Sequence, residues 1–210
     1  MAETDGAALE ADNLQLWRGT RHVLRGLSFA AHFGETMHVR GPNGCGKTSL
    51  LRTLAGFLWP EGGRILWRGQ PIGADRDGYA SDFAYLAHDN ALKADLTPLE
   101  NLGYATRVRH PVSDEEIDAA LGRLGVGEER RLPARALSAG QRRRVALARV
   151  LLSRARLWLL DEPFTNLDSG GVRALSELIG AHVAQGGLAV LTAHSDLELP
   201  GSSLRRLELL

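Results

Sequence analysis

Lysine is almost missing from this chain: of its 25 basic residues only Lys47 and Lys93 are lysine, and arginine supplies the rest. Cysteine occurs once, at Cys45, which excludes an internal disulfide and fits a reducing compartment. Neither sign of charge is in excess, since Lys+Arg 25 balances Asp+Glu 25, so no global basic field draws the chain to nucleic acid or to an anionic membrane surface. Long hydrophobic runs are lacking too. Runs such as Leu157 to Leu160 and Leu188 to Val190 fall far below the roughly 18 apolar residues of a membrane span. Residues 1–9 are acidic and have no basic start or apolar run of a secretion signal, so the expected location is the cytoplasm.

What is present is enough for one domain with a full core: 210 residues, 44% hydrophobic and 24% charged, which excludes a disordered chain or a disulfide scaffold. Thr36 to Arg40 alternates and is β-rich, Gly41 to Gly46 breaks it, and Lys47 to Ala55 takes up helical spacing, which reads as strand, glycine loop and helix. Leu157 to Leu160 and Leu188 to Thr192 read as buried parallel strands joined by a helix around Val172 to Gln185. Between these halves the chain reads as helical. Thr97-Pro98-Leu99-Glu100 and Ser113-Asp114-Glu115-Glu116 are helix starts, and a third helix follows Ser138 with Val145, Ala148, Leu151 and Leu152 on one face. The expected fold is α/β, with a core formed by about 1–86 and 154–210 and an inserted helical subdomain from about 87 to 153.

Gly41-Pro42-Asn43-Gly44-Cys45-Gly46-Lys47-Thr48, followed by Ser49, has glycine, lysine and hydroxyl groups at the spacing of a phosphate-binding loop. Glycines let backbone N–H groups turn toward phosphates, and the following helix N-terminus favours anions. Lys47 would bridge the β- and γ-phosphates of ATP and Thr48 would ligate Mg²⁺. The plain alternative is a glycine turn with a solvated lysine. It is disfavoured by the strand-loop-helix context and by a lysine retained where arginine is otherwise the rule. Asp161 and Glu162 place two carboxylates at the end of a buried strand, where unpaired charge is expensive, and metal binding by Asp161 with water activation by Glu162 would account for them. A helix-capping acid at a solvated strand end is the alternative. His194 follows another predicted central strand, on the edge where open α/β sheets bind ligands, although a lone histidine is as readily structural. Ser138-Ala139-Gly140-Gln141 opens the arginine-rich helix and reads by itself as an N-cap, with Arg142, Arg143 and Arg144 as a solvated face.

The order of these motifs resembles the ATP-binding cassette family over nearly the whole chain. Gly41 to Thr48 is similar to its Walker A motif, Leu137 to Gln141 to its signature, Leu157 to Glu162 to Walker B, Asn166 to Asp168 to the D-loop, and His194 to the switch histidine. The resemblance implies a P-loop NTPase with a RecA-like core, an antiparallel β subdomain and a helical subdomain. It implies Mg²⁺-ATP as cofactor and two copies sandwiching two nucleotides, in which Ser138, Ala139, Gly140 and Gln141 meet the nucleotide of the partner copy, Asp168 couples the sites, and Glu162 and His194 are catalytic. Two departures stand out. The family's glutamine at the entry to the helical subdomain is replaced in His88-Asp89-Asn90, where Asp89 is a candidate for reaching the metal through water. For adenine stacking, Trp17 and Arg18 share the expected neighbourhood. Cys45 lies at a variable position of the loop, where a small filling residue is the better reading than a redox group.

Within the family, the similarity runs to the CcmA-type ATPases of bacterial cytochrome c maturation through Leu24 to Phe29, Tyr85 to His88, Leu96 to Leu102, Leu137 to Arg149 and Leu157 to Asp168. That resemblance implies a CcmB-type integral membrane permease and other cytochrome c maturation proteins as partners, no nucleic acid, haem export or haem-chaperone release as the work done, and a peripheral position on the cytoplasmic face of the inner membrane. The competing readings are an ATPase of an unrelated exporter, a cytosolic cassette protein acting on DNA or the ribosome, and a silent regulatory subunit. The absence of basic extensions speaks against the DNA or ribosome reading, and intact Glu162 and His194 against the silent one.

Overall fold

The computed structural model describes residues 6–193, 199 and 203–209; His194, expected as the switch histidine, lies outside the described residues. The order of elements is β1 (Leu9–Arg18), β2 (Arg21–Ala31), β3 (Glu35–Arg40), α1 (Lys47–Leu54), β4 (Gly62–Trp67), β5 (Gln70–Pro71), α2 (Arg76–Asp82), β6 (Phe83–Leu86), α3 (Pro98–Arg107), α4 (Asp114–Arg123), α5 (Ala139–Leu152), β7 (Leu157–Leu160), α6 (Ser169–Ala184), β8 (Leu188–Thr192) and β9 (Ser203–Glu208). A short 3-10 turn, Ala134–Ala136, leads into α5.

Strands β6-β7-β8-β3-β9 form a sheet in that order, each neighbouring pair parallel. All four residues of β7 and all five of β8 are buried, as strands covered on both faces require. The pleat then divides them: Trp158, Leu160, Ala189 and Leu191 join one core with α5 and α6, whereas Leu157, Leu159, Leu188 and Val190 join a second core with α1 and the antiparallel sheet β2-β1-β4-β5. Each fully buried leucine in these two cores contributes about 1.5–3 kcal/mol through the apolar area it removes from water.

The helices between β6 and β7 begin where their caps dictate. Thr97 and Ser113 each accept the N3 amide while Glu100 and Glu116 reach back to the cap amide, and Pro98 opens α3 with φ already suited to a helix. Ser138 and Gln141 form a third such reciprocal pair at the start of α5. The carboxyl ends of β3, β6, β7 and β8 consequently open on one edge of the parallel sheet, which is where ligands bind in folds of this kind. Among the described residues no helix is long and apolar enough to cross a membrane.

Candidate functional site

The loop after β3 turns through left-handed glycines: Gly41 has φ 146°, Gly44 φ 77° and Gly46 φ 116°. Gly46 is needed twice over, since a Cβ there would lie 2.3 Å from Val23 Cγ1 in a backbone region costly to L-residues. The loop is thereby pressed against β2 of the antiparallel sheet. Lys47 is buried at the first position of α1, and its Nζ donates to the carbonyls of Gly41 (2.8 Å) and Pro42 (3.1 Å). Cys45 is buried in the core beneath the loop, packed where a side chain at Gly41 would meet its Sγ, as expected of a filling residue. A cavity of about 470 Å³ is lined by Arg18, Arg21 and Val23 together with Asn43, Gly44, Gly46, Lys47, Thr48, Ser49 and Glu162. Walker A and Walker B residues therefore face one hollow.

Behind it, Asp161 is 1% exposed. The Thr192 hydroxyl at the end of β8 donates to Asp161 Oδ1 at 2.9 Å, while Asp161 Oδ2 is buried with no hydrogen-bond partner among the described residues. A buried carboxylate oxygen left without a donor is expensive, and a Mg²⁺ shell supplied from the Thr48 side would satisfy it. The acceptor set therefore fits a hard cation with oxygen ligands. Glu162 has φ 48°, in the left-handed region uncommon for a residue with a side chain, and its amide donates to Thr192 Oγ1 at 2.8 Å.

Arg143 contradicts the expectation that Arg142, Arg143 and Arg144 form a solvated face. It is 2% exposed and spends all five of its N–H donors on neutral oxygens: Nη1 on Ala87 O (2.7 Å) and Asn90 Oδ1 (3.1 Å), Nη2 on Asp161 O (2.8 Å) and Glu162 O (2.8 Å), and Nε on Pro163 O (3.3 Å). Burial pushes its pKa down to about 10, against the pull of Asp161 and Glu162, so the guanidinium stays charged at neutral pH. Thr192 and Arg143 were invisible in the sequence as site residues. The one available signal was helical spacing, which sets position 143 on the same face as Ala146, Leu147 and Val150, all buried.

Of the remaining expected residues all but Arg18 are placed away from the cavity. Ser138 and Ala139 are exposed at the start of α5, and none of Ser138, Ala139, Gly140 or Gln141 lines the cavity of its own chain. Gln141 Nε2 donates to Glu129 at 2.7 Å. Gly140 packs on the D-loop, where a Cβ would stand 2.7 Å from Asn166 O. Asp168 caps α6 through the Gly171 amide at 2.8 Å and pairs with Arg144; the Gly171 hydrogen bond first, and then Arg144, hold its carboxyl below the usual range. Asp89 is exposed, does not line the cavity, and accepts the Ala91 amide at 3.1 Å. Arg18 lines the cavity, whereas Trp17 stacks on His22 with ring centroids 4.3 Å apart. A smaller hollow of about 290 Å³ lies at the amino ends of β7 and β8, among Arg154, Arg156, Trp158 and His182, and contains none of these motifs.

A parallel sheet, a glycine loop folded over a buried lysine, and a strand-end carboxylate pair of which Glu162 lines the same hollow and Asp161 is buried behind it define a P-loop nucleoside triphosphatase. The family model for ABC transporters matches residues 24–165, and the chain belongs to that family as an ATP-hydrolysing, ATP-binding protein. It is 44% identical over 202 residues to the cytochrome c biogenesis ATP-binding export protein CcmA of Dechloromonas aromatica, covering 96% of this chain and 99% of that protein. It is 46% identical over 200 residues to the protein of the same name from Pseudomonas aeruginosa, covering 95% and 98%. Among solved structures it is similar to a putative ABC transporter ATP-binding protein from Pyrococcus furiosus, with TM-score 0.82, 25% identity and 96% of each chain covered. An ATP-binding subunit of an ABC transporter matches with TM-score 0.80 and 26% identity, over 89% of this chain and 79% of that one.

Proposed function

We propose that this chain is the ATP-hydrolysing subunit of a transporter complex in c-type cytochrome biogenesis, energising a CcmB-type membrane permease for haem export or haem-chaperone release. The observation that carries this reading is its similarity, 44% and 46% identical over nearly the full length, to proteins named for cytochrome c biogenesis and export. The chain would work peripherally on the cytoplasmic face of the inner membrane.

In this reading the backbone N–H groups of residues 43–48 bind the phosphates of ATP, Lys47 leaves the carbonyls of Gly41 and Pro42 to reach the β- and γ-oxygens, and Arg18 or Trp17 supports the adenine. Thr48 and the Asp161 Oδ2 oxygen would hold Mg²⁺, which would supply positive charge against the phosphates. Glu162, on the cavity wall, orients and deprotonates the attacking water, and His194 senses the γ-phosphate. The exposed Ser138 and Ala139, with Gly140, complete the site of a second copy, because they do not reach their own cavity. Closure of this homodimer on ATP and opening after hydrolysis moves a helical subdomain of about 87–153 against a core of about 1–86 and 154–210. Exposed Phe57, Tyr104 and Val108 supply apolar surface on which a permease segment would seat.

The test is affinity purification of tagged Glu162→Gln protein from gently solubilised membranes with Mg²⁺-ATP, together with c-type cytochrome content in a deletion strain complemented by the parent gene or by Lys47→Ala. Recovery of a CcmB-type permease and rescue by the parent alone support the proposal. An unrelated permease, or normal cytochrome c in the deletion strain, overturns it and leaves the ATPase assignment standing.

A further inference from the structure

Arg143 joins three parts of the molecule that are distant in sequence. Its own helix, α5, begins at the exposed signature serine Ser138. Its Nη1 holds the loop that follows β6, through Ala87 and Asn90, and its Nη2 and Nε hold the turn that follows β7, through Asp161, Glu162 and Pro163. We propose that Arg143 is a positioning residue for ATP hydrolysis, a clamp that sets Glu162 against the loop at 87–90 and delivers the displacement of the signature helix to that carboxylate. This rests on the reading of Glu162 as the group that handles the attacking water.

Two observations support a positioning role over simple packing. A buried cation whose hydrogen-bond partners are all neutral oxygens is an expensive way to fill space, and buried charged groups are often replaced by apolar side chains of similar volume with no loss of stability. What only the planar fork supplies is five donors in fixed directions, so five oxygens from two loops are held in one relative arrangement. The second observation is the Glu162 peptide. Its amide is tied to Thr192 and its carbonyl to Arg143, each at 2.8 Å, and between these ties the residue is kept at φ 48°. A backbone conformation of this kind persists where its surroundings over-determine it. Arg143 is the tie that comes from the helix headed by Ser138, whereas Thr192 belongs to the sheet.

The experiment compares Arg143→Gln, Arg143→Lys and Glu162→Gln in the full chain by Mg²⁺-dependent binding of a fluorescent ATP analogue, steady-state hydrolysis and thermal melting. Arg143→Gln is expected to bind nucleotide within about 3-fold of the parent while kcat falls about 10²-fold, the scale set by displacement of a catalytic group by about 1 Å. Arg143→Lys should restore part of the rate, to about 10-fold below the parent, because one ammonium has three donors where the fork has five. A parent-like kcat in Arg143→Gln, or nucleotide affinity falling in step with kcat, overturns the clamp. Should Arg143→Gln fail to fold, Arg143→Lys decides: unchanged affinity with lowered kcat supports the clamp, and parent kcat overturns it. A Glu162→Gln variant as active as the parent overturns the reading of Glu162 and the clamp with it, whereas inactive Glu162→Gln beside fully active Arg143→Gln overturns the clamp alone.

Discussion

The Thr192 side chain donates its hydroxyl hydrogen to Asp161 Oδ1 at 2.9 Å, across the gap between neighbouring parallel strands, and Thr192 Oγ1 accepts the Glu162 amide at 2.8 Å. One side chain with no exposure thus orients both carboxylate residues from the strand alongside. Replacing it by valine keeps the shape and removes both bonds. Thr192→Val is expected to destabilise the fold by about 1–3 kcal/mol, the range for leaving buried polar groups unsatisfied. It should also lower kcat about 10-fold or more with little change in nucleotide affinity. Urea unfolding read beside steady-state kinetics checks both.

Why Thr192 and Arg143 escaped the sequence reading, while the phosphate loop and three helix starts did not, follows from where their partners lie. The capping pairs at Thr97 and Ser113, and the glycines around Lys47, interact within a few residues, so residue type and spacing carry the information. Arg143 finds its acceptors 53 and 56 residues earlier and 18 to 20 residues later, and a run of three arginines looks the same whether it faces solvent or carbonyls. Strand β1 was illegible for a different reason: its pairing with β2 shifts register between Ala11 and Leu14 and again at Gln15 and Trp17, which breaks the alternation that marks a half-buried strand. The antiparallel sheet was accordingly expected from family resemblance and not from pattern.

Lys47 and Glu162 line the same cavity, and the proposed function assigns binding to the first and chemistry to the second. Lys47→Ala should weaken nucleotide binding about 10²-fold, the equivalent of ~3 kcal/mol in charge-assisted hydrogen bonds. Glu162→Gln should keep parent-like affinity, lose turnover and accumulate an ATP-bound dimer. Equilibrium binding and size-exclusion chromatography with Mg²⁺-ATP separate the two, and an equal loss of binding in both variants would contradict the split.

Acid should loosen the helical region through its caps. The Ser113 amide, and next the Arg154 side chain, hold the Glu116 carboxyl below the usual range. A carboxylate whose folded pKa is depressed contributes stability above its unfolded value of about 4.3, and that contribution is lost as pH falls through the lowered folded value. The difference in melting temperature between the parent and Glu116→Gln should therefore be level above about pH 5 and shrink as pH falls below the unfolded value of about 4.3. A difference that grew on acidification would show that the cap does not behave as a carboxylate stabilised by its ionised form.

Gly140 gives a test of the shared site that leaves the chain's own nucleotide loop untouched. Its Cα faces the D-loop so closely that a Cβ would stand 2.7 Å from Asn166 O, a backbone atom held in a residue at φ 64° and unable to swing aside as a side chain would. Gly140→Ala must therefore displace the start of α5 from the D-loop. Because the signature residues do not line the cavity of their own chain, the displacement should spare ATP binding to the monomer, while dimer formation in the Glu162→Gln background falls about 10-fold and kcat falls with it. Ser138→Arg, which adds bulk and charge at an exposed cap, should act in the same direction. If the isolated monomer hydrolyses ATP as fast as the dimer, or if Gly140→Ala weakens monomer binding as much as it weakens association, the signature does not act across a dimer and the nucleotide site is complete within one chain.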